Sequence, residues 1–186
     1  MTLKLACDAE VPVISQFLQV ASPFFRGALD DMRGNAPISV DGSFGTWTYI
    51  QSCLYPLHDQ PEVTLDSVQV MLLVVHKYDF AKLLKRLVAF VKENIELLSG
   101  DANTRETYII AWLALAESPQ LDELLELCLG RLRGMAPEEL KDAITVEVEE
   151  GSGADKQTRR VLRKQVKALG RGTSDAVFLL AMNADD

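Results

Sequence analysis

The sequence predicts an α+β chain in which a few short strands are clasped by many helices, with the second half all helical. Three observations carry this. Leu3, Leu5 and Cys7 alternate with other residues, and Val11 and Val13 resume the alternation after Asp8 to Glu10, the pattern of a short hairpin. From residue 14 onward, apolar residues recur mostly at spacings of three and four. The stretch VPVISQFLQVASPFFRGALDDMRG, residues 11 to 34, holds two short helical patterns that meet at Ser22 and Pro23. In this helical hairpin Ile14, Phe17, Leu18 and Ala21 share one face, and Phe25, Leu29 and Met32 share another. Ser22 is placed to cap the second helix, Pro23 suits its first turn, and Gly34 is a natural stop. Two short helices this apolar must be held by the rest of the domain.

The following elements are read in order. Pro37 to Val40 is extended, and Asp41-Gly42-Ser43 makes a turn whose Ser43 caps a helix carrying Phe44, Trp47, Ile50 and Leu54. Trp47 is in step with apolar neighbours and is expected in the core rather than as an exposed anchor. Tyr55-Pro56 ends the helix, and PLHDQPEV, residues 56 to 63, is a polar loop. Thr64 or Asp66 starts the next helix, where Val68, Met71, Leu72 and Val75 line one side while Val70, Leu73 and Val74 make it apolar nearly all round. Such a helix is expected to be buried. After HKYDF, Ala81 to Leu98 is amphipathic, with Leu83, Leu84, Leu87, Val88, Val91 and Ile95 inward and Lys82, Lys85, Arg86 and Lys92 outward.

Residues 99 to 103, SGDAN, read as a linker and a domain boundary. Three further helices follow: one with Tyr108, Ile109, Trp112, Leu113 and Leu115, one from Ser118-Pro119 with Leu121, Leu124, Leu125, Cys128 and Leu132, and one from Pro137 with Leu140 and Ile144. GSGAD, 151 to 155, is a flexible hinge. After residue 155 come seven cations and three acids, a net of +4, against −12 for the preceding part. Val161, Leu162, Val166 and Leu169 lend that tail an apolar stripe, so residues 156 to 171 read as a basic amphipathic helix. Such a helix either docks on acidic residues near Glu147 to Glu150 with its cations in solvent, the reading favoured here, or faces an anionic partner or a membrane surface. Asp175 is placed to cap a last helix, 176 to 182.

The totals limit function. The chain has 186 residues, 48% of them apolar, enough for one large or two small cores. Its 19 Lys and Arg against 27 Asp and Glu give a net charge of −8, which disfavours nucleic acid or an anionic membrane as a partner of the whole surface. No apolar run approaches the roughly 20 residues that span a bilayer, and MTLKLACDAE lacks a signal-peptide core, so cytosol or nucleus is the expected address. Cys7, Cys53 and Cys128 each have apolar neighbours and read as reduced packing thiols. His58 and His76 have no companions at metal-ligand spacing, and His76 reads as structural. No Gly-rich phosphate loop or HExxH occurs, and the pairs Asp30-Asp31 and Glu149-Glu150 lie in polar runs. The expectation is a non-enzyme without cofactor or metal.

Four blocks in order resemble the BTB/POZ domain: the apolar-Pro-apolar entry at Val11 to Val13, the helix QFLQVASPFFRGAL, the extended PISV with Asp41, and LDSVQVMLLVVHKYDFAKLLKRLVAFV. The resemblance covers about half the chain. It implies a BTB/POZ fold, a short mixed sheet capped by helices, over residues 1–98. The helices of residues 99–150 are similar to the BACK extension that follows many such domains, leaving 151–186 as hinge and basic helices. The resemblance implies a protein-interaction adaptor, with recruitment of targets to a cullin-type ubiquitin ligase as one role. A scaffold acting by self-association or by holding another protein is the alternative. Many relatives exchange an additional N-terminal segment to form a homodimer, and this sequence starts too late to supply one. In relatives that bind a cullin, the contact surface is the end of the second hairpin helix, the loop after it, and the turn matching HKYDF. Carried over, these give Leu29, Met32, Arg33, Asn35, Tyr78 and Asp79. Within that surface the family places an apolar residue two positions before a Glu; here Arg33 precedes Asn35, or Met32 precedes Gly34, and neither supplies the Glu. A His common in the first hairpin helix is replaced by Ile14. Losing one charge-assisted bond costs on the order of 1 to 3 kcal/mol, or about ten- to a hundredfold in affinity.

Overall fold

The computed structural model describes residues 1–31, 36–55, 62–101, 103–104, 107–117, 121–150, 157–162, 166, 169–170 and 173–177. The chain divides into two compact units, Met1–Phe90 and Val91–Asp186.

In the first unit, β1 (Thr2–Leu5) is the middle strand of a three-stranded mixed sheet. It runs antiparallel to β2 (Glu10–Pro12), with Leu3 opposite Val11, and parallel to β3 (Ile38–Val40), with Leu3 opposite Ile38. The alternation seen in the sequence decides the buried face: Leu3, Leu5, Val11 and Val40 point inward. Asp8 takes a left-handed backbone, φ 60°, in the turn between β1 and β2, a conformation that Asp tolerates better than most residues.

The parallel pairing of β1 and β3 needs a long connection, supplied by α1 (Ser15–Ala21) and α2 (Pro23–Asp31). Ser22 joins them, fully buried, and its hydroxyl accepts the Phe25 N–H at 3.1 Å, as a cap should. Ile14, expected on the inner face, is 46% exposed. It precedes the first turn of α1 in extended conformation, so the helical spacing does not govern it.

Next comes α3 (Phe44–Leu54), whose cap Ser43 accepts the Thr46 N–H. Trp47 is fully buried, and its indole N–H donates to the Asp41 carbonyl at 2.6 Å. Gly42 sits just before this helix at φ 102°, and a Cβ there would lie 3.1 Å from Val74 and 3.2 Å from the indole nitrogen, so both backbone and space require glycine. Next in order is α4 (Leu65–Lys77), closed at its start by a capping box between Thr64 and Ser67. Its inner side buries Val68, Met71, Leu72 and Val75. The expectation that this helix is buried all round is corrected, because Val70 and Leu73 are 50% and 45% exposed. Among the described residues of the first unit, none covers these two side chains fully.

The helix α5 (Ala81–Glu93) is shorter than the sequence suggests; a 3-10 turn, Ile95–Leu97, takes over before Leu98. Leu83, Leu87 and Val88 are buried and Lys82, Lys85 and Arg86 exposed, as its amphipathic pattern requires. The division between the two compact units falls within α5, between Phe90 and Val91.

In the second unit, the segment read as a linker begins packed at Ser99 and Gly100, while Asp101 and Asn103 are exposed. Ser99 pairs in parallel with Tyr108, and Gly100 is buried so tightly that a Cβ would stand 2.4 Å from the Glu139 carbonyl. Around it lie α6 (Ile109–Glu117), α7 (Asp122–Arg133) and α8 (Pro137–Ile144). Trp112, Leu124, Cys128, Leu132 and Ile144 form their core, and the buried Tyr108 hydroxyl donates to the Ala143 carbonyl at 2.7 Å. Arg131 lies 3.6 Å from Glu96 and 3.8 Å from Glu139, joining the 3-10 turn to α7 and α8 electrostatically.

After α8 the chain departs from an all-helical region. Residues Thr145–Glu150 form β4 and Gln157–Leu162 form β5, an antiparallel pair in which Glu147 stands opposite Arg160 and Val146 opposite Val161. The basic helix expected from residue 156 is therefore a strand over 157–162. TVEVEE and QTRRVL are rich in β-branched residues, and each strand supplies the other's backbone partners. The acidic docking partner anticipated near Glu147 to Glu150 is the right segment in a different conformation. The hinge, 151 to 155, lies outside the described residues. Thr173–Val177 is helical, with Thr173 and Val177 buried, so the last helix begins before Asp175 rather than at it.

Candidate functional site

Near the start of α2, the end of β3 and the turn between α4 and α5 meet. The sequence brings them together through aromatic residues. Phe25, Trp47, Tyr78 and Phe80 interlock, with Phe25 5.5 Å from Tyr78 and 5.9 Å from Trp47, and Trp47 5.4 Å from Tyr78, measured between ring centroids. Such pairs each add about 0.5–1.5 kcal/mol beyond simple burial. Ser22 ties the hairpin to the turn: the hydroxyl that caps α2 also donates to the Tyr78 carbonyl.

Around this core is a rim. Neighbouring residues on a helix point about 100° apart, and here Phe25 is buried while Phe24 lies toward the surface. It is 45% exposed and stands edge-on to Tyr78 at 5.1 Å. The Tyr78 hydroxyl accepts the Asp41 N–H at 2.6 Å, and burial pushes its pKa above the usual tyrosine value. The Lys77 ammonium pairs with the Asp41 carboxylate and lies 5.7 Å above the Tyr78 ring. Asp79 follows in a left-handed conformation, φ 53°, and is exposed. An open cavity of about 520 Å³ is lined by Lys4, Ser39, Asp41, Lys77, Phe24 and Tyr78, among others. At its edge the exposed Asp8 accepts from Lys4 at 2.8 Å; this bond, and then the lysine's charge, hold the Asp8 carboxyl below its usual pKa. The arrangement offers one exposed ring, charges of both signs and the backbone of an edge strand. These are means of holding a polypeptide.

The residues carried over from the resemblance fare differently. Asp79 lies exposed on the rim, and Leu29 is half-buried on α2. Tyr78 is only 3% exposed and its ring packs in the core, while Lys77 and Asp79 beside it lie at the surface. Met32, Arg33 and Asn35 lie outside the described residues. The sequence did not single out Phe24 and Lys77, which line the same cavity: adjacent helical residues can both be buried, as Met71 and Leu72 are, so the pair Phe24-Phe25 did not tell which ring lies at the surface.

The thiols are also not alike. Cys128 is fully buried and burial pushes its pKa up to about 12. Cys53 is half-buried beside a cavity of about 250 Å³ with Val20 and Arg86, and burial raises its pKa, with Arg86 opposing. Cys7 is exposed, which corrects its reading as a packing thiol: the sheet ends at Leu5 and the turn carries Cys7 into solvent. Among the described residues no group of three or more His, Cys, Asp and Glu is placed to hold a metal ion, and no helix is long and apolar enough to cross a membrane.

No protein-family model matches the chain, and no curated protein is significantly similar to it in sequence. The chain is an α+β protein with a small three-stranded mixed sheet and many helices.

Proposed function

We propose that the chain is a protein-interaction adaptor of the BTB/POZ kind with a BACK-like helical extension, acting without chemistry of its own, in the cytosol or nucleus. The observation that carries the proposal is the rim at the α4–α5 turn, where the half-exposed Phe24 ring stands beside Lys77, Asp41 and the exposed Asp79. An aromatic anchor flanked by charges is the composition of surfaces that hold another protein. The order of elements, with a parallel β1–β3 pair bridged by a helical hairpin, supports the BTB/POZ reading. The helices α6 to α8 support the BACK-like one, and the β4–β5 hairpin departs from it.

The partner proposed first is a cullin N-terminal domain, for which the chain would recruit targets. Calorimetry with purified cullin N-terminal domain tests this, with Phe24→Ala as the variant. The adaptor role predicts binding at tens of micromolar or tighter, weakened at least about tenfold by the substitution. Absence of heat at those concentrations removes the cullin. A second reading, a scaffold that self-associates, is favoured by the apolar residues that α4 leaves exposed.

A further inference from the structure

The outward side of α4 carries four exposed residues, Asp66, Val70, Leu73 and Lys77; every other residue of the helix is buried or half-buried. Their spacings of four, three and four residues are those of the seam along which two helices pack. Val70 and Leu73, 50% and 45% exposed, are the middle of the stripe, and an acid and a base are its ends.

The order has a symmetry. Read from the N-terminus the stripe is acid, apolar, apolar, base; read backwards the charges exchange places. Laid antiparallel about a twofold axis between Met71 and Leu72, two such helices set Asp66 against Lys77 and Val70 against Leu73, twice over. A parallel pair would set like charges together at both ends, which is repulsive. We infer that α4 is a homodimer seam, its occupant a second copy of this chain in antiparallel register. Lys77 already faces Asp41, and its ammonium has three donors, so it serves a second carboxylate without leaving the first. An antiparallel pair also brings the positive end of each helix dipole to the negative end of the other. The inference gives the scaffold reading its surface and does not depend on the BTB/POZ resemblance.

Four side chains cover less than the roughly 800 Å² per partner of a standard interface, so association is weak, with a Kd between about 10 µM and 1 mM. Sedimentation velocity of the full chain across that range, from about 5 µM to about 2 mM, is the test. The mass is expected to rise from 20.6 kDa toward twice that value. Asp66→Lys and Lys77→Asp each place like charges at both ends and should weaken the dimer at least about tenfold. Mixed in equal amounts, the two variants should dimerise again, because each opposes the other's charges correctly. Val70→Ser with Leu73→Ser, both at exposed positions, should leave the circular dichroism unchanged and the chain monomeric. A wild-type monomer at every concentration overturns this inference and the self-association reading together. A dimer indifferent to the Val70 and Leu73 changes, or variants that do not recover on mixing, overturns the seam while leaving self-association in place.

Discussion

At the residue scale, single side chains do double duty. Ser22 both caps the start of α2 and binds the α4–α5 turn, so Ser22→Ala removes a cap and a buried tie in one change. The expected loss is about 1–3 kcal/mol, read as a lower midpoint in urea at unchanged slope. An unchanged midpoint would show that the two bonds contribute nothing. Cys128 gives a pH dependence. Its folded pKa of about 12 lies above the ordinary 9.0, so the native state keeps a proton that the unfolded chain gives up. Stability from this thiol is complete below about pH 9 and falls as pH rises toward 12, at up to about 1.4 kcal/mol per unit. Cys128→Ala should flatten the decline in urea midpoints measured between those values; a decline of the same steepness would contradict the assignment. Much at this scale was legible. Ser22 and Ser43 could be read as caps from their place before helical patterns, and Trp47 as core from its neighbours. Tyr78 was not, because nothing in HKYDF tells which side chain of a turn folds back onto Phe25 of α2 and Trp47 of α3.

At the scale of elements, hydrophobic period identified what was amphipathic and failed where two readings fitted the same letters. Val161, Leu162, Val166 and Leu169 suit a helix, but β-branched QTRRVL becomes a strand once TVEVEE lies beside it, and that partner is invisible to a local window. The strand assignment predicts cross-strand nuclear Overhauser effects between residues 146 and 161 and between 148 and 159, with extended-type carbon shifts over 157–162. A series of contacts three residues apart along 157–162 would restore the helix. The misreading of α4 had the opposite origin. An apolar composition does imply burial on average, yet it does not tell which residues stay half-exposed, as Val70 and Leu73 do. SGDAN illustrates the same limit, since Gly and Asp favour a turn whether it is solvated or, as at Gly100, packed against the Glu139 carbonyl.

At the scale of the molecule, the first unit is organised by one topological demand. A parallel pairing of β1 and β3 requires a long connection, and the α1–α2 hairpin that provides it places Phe24 beside the α4–α5 turn. The account's central claim is that this rim holds another polypeptide. A photo-crosslinking amino acid at position 24, expressed in the native cell and compared with the same group at the exposed position 85, tests it directly. The claim predicts a covalent adduct of one defined mass at position 24 that is absent at position 85. Equal labelling at both positions, or none at position 24, would contradict it.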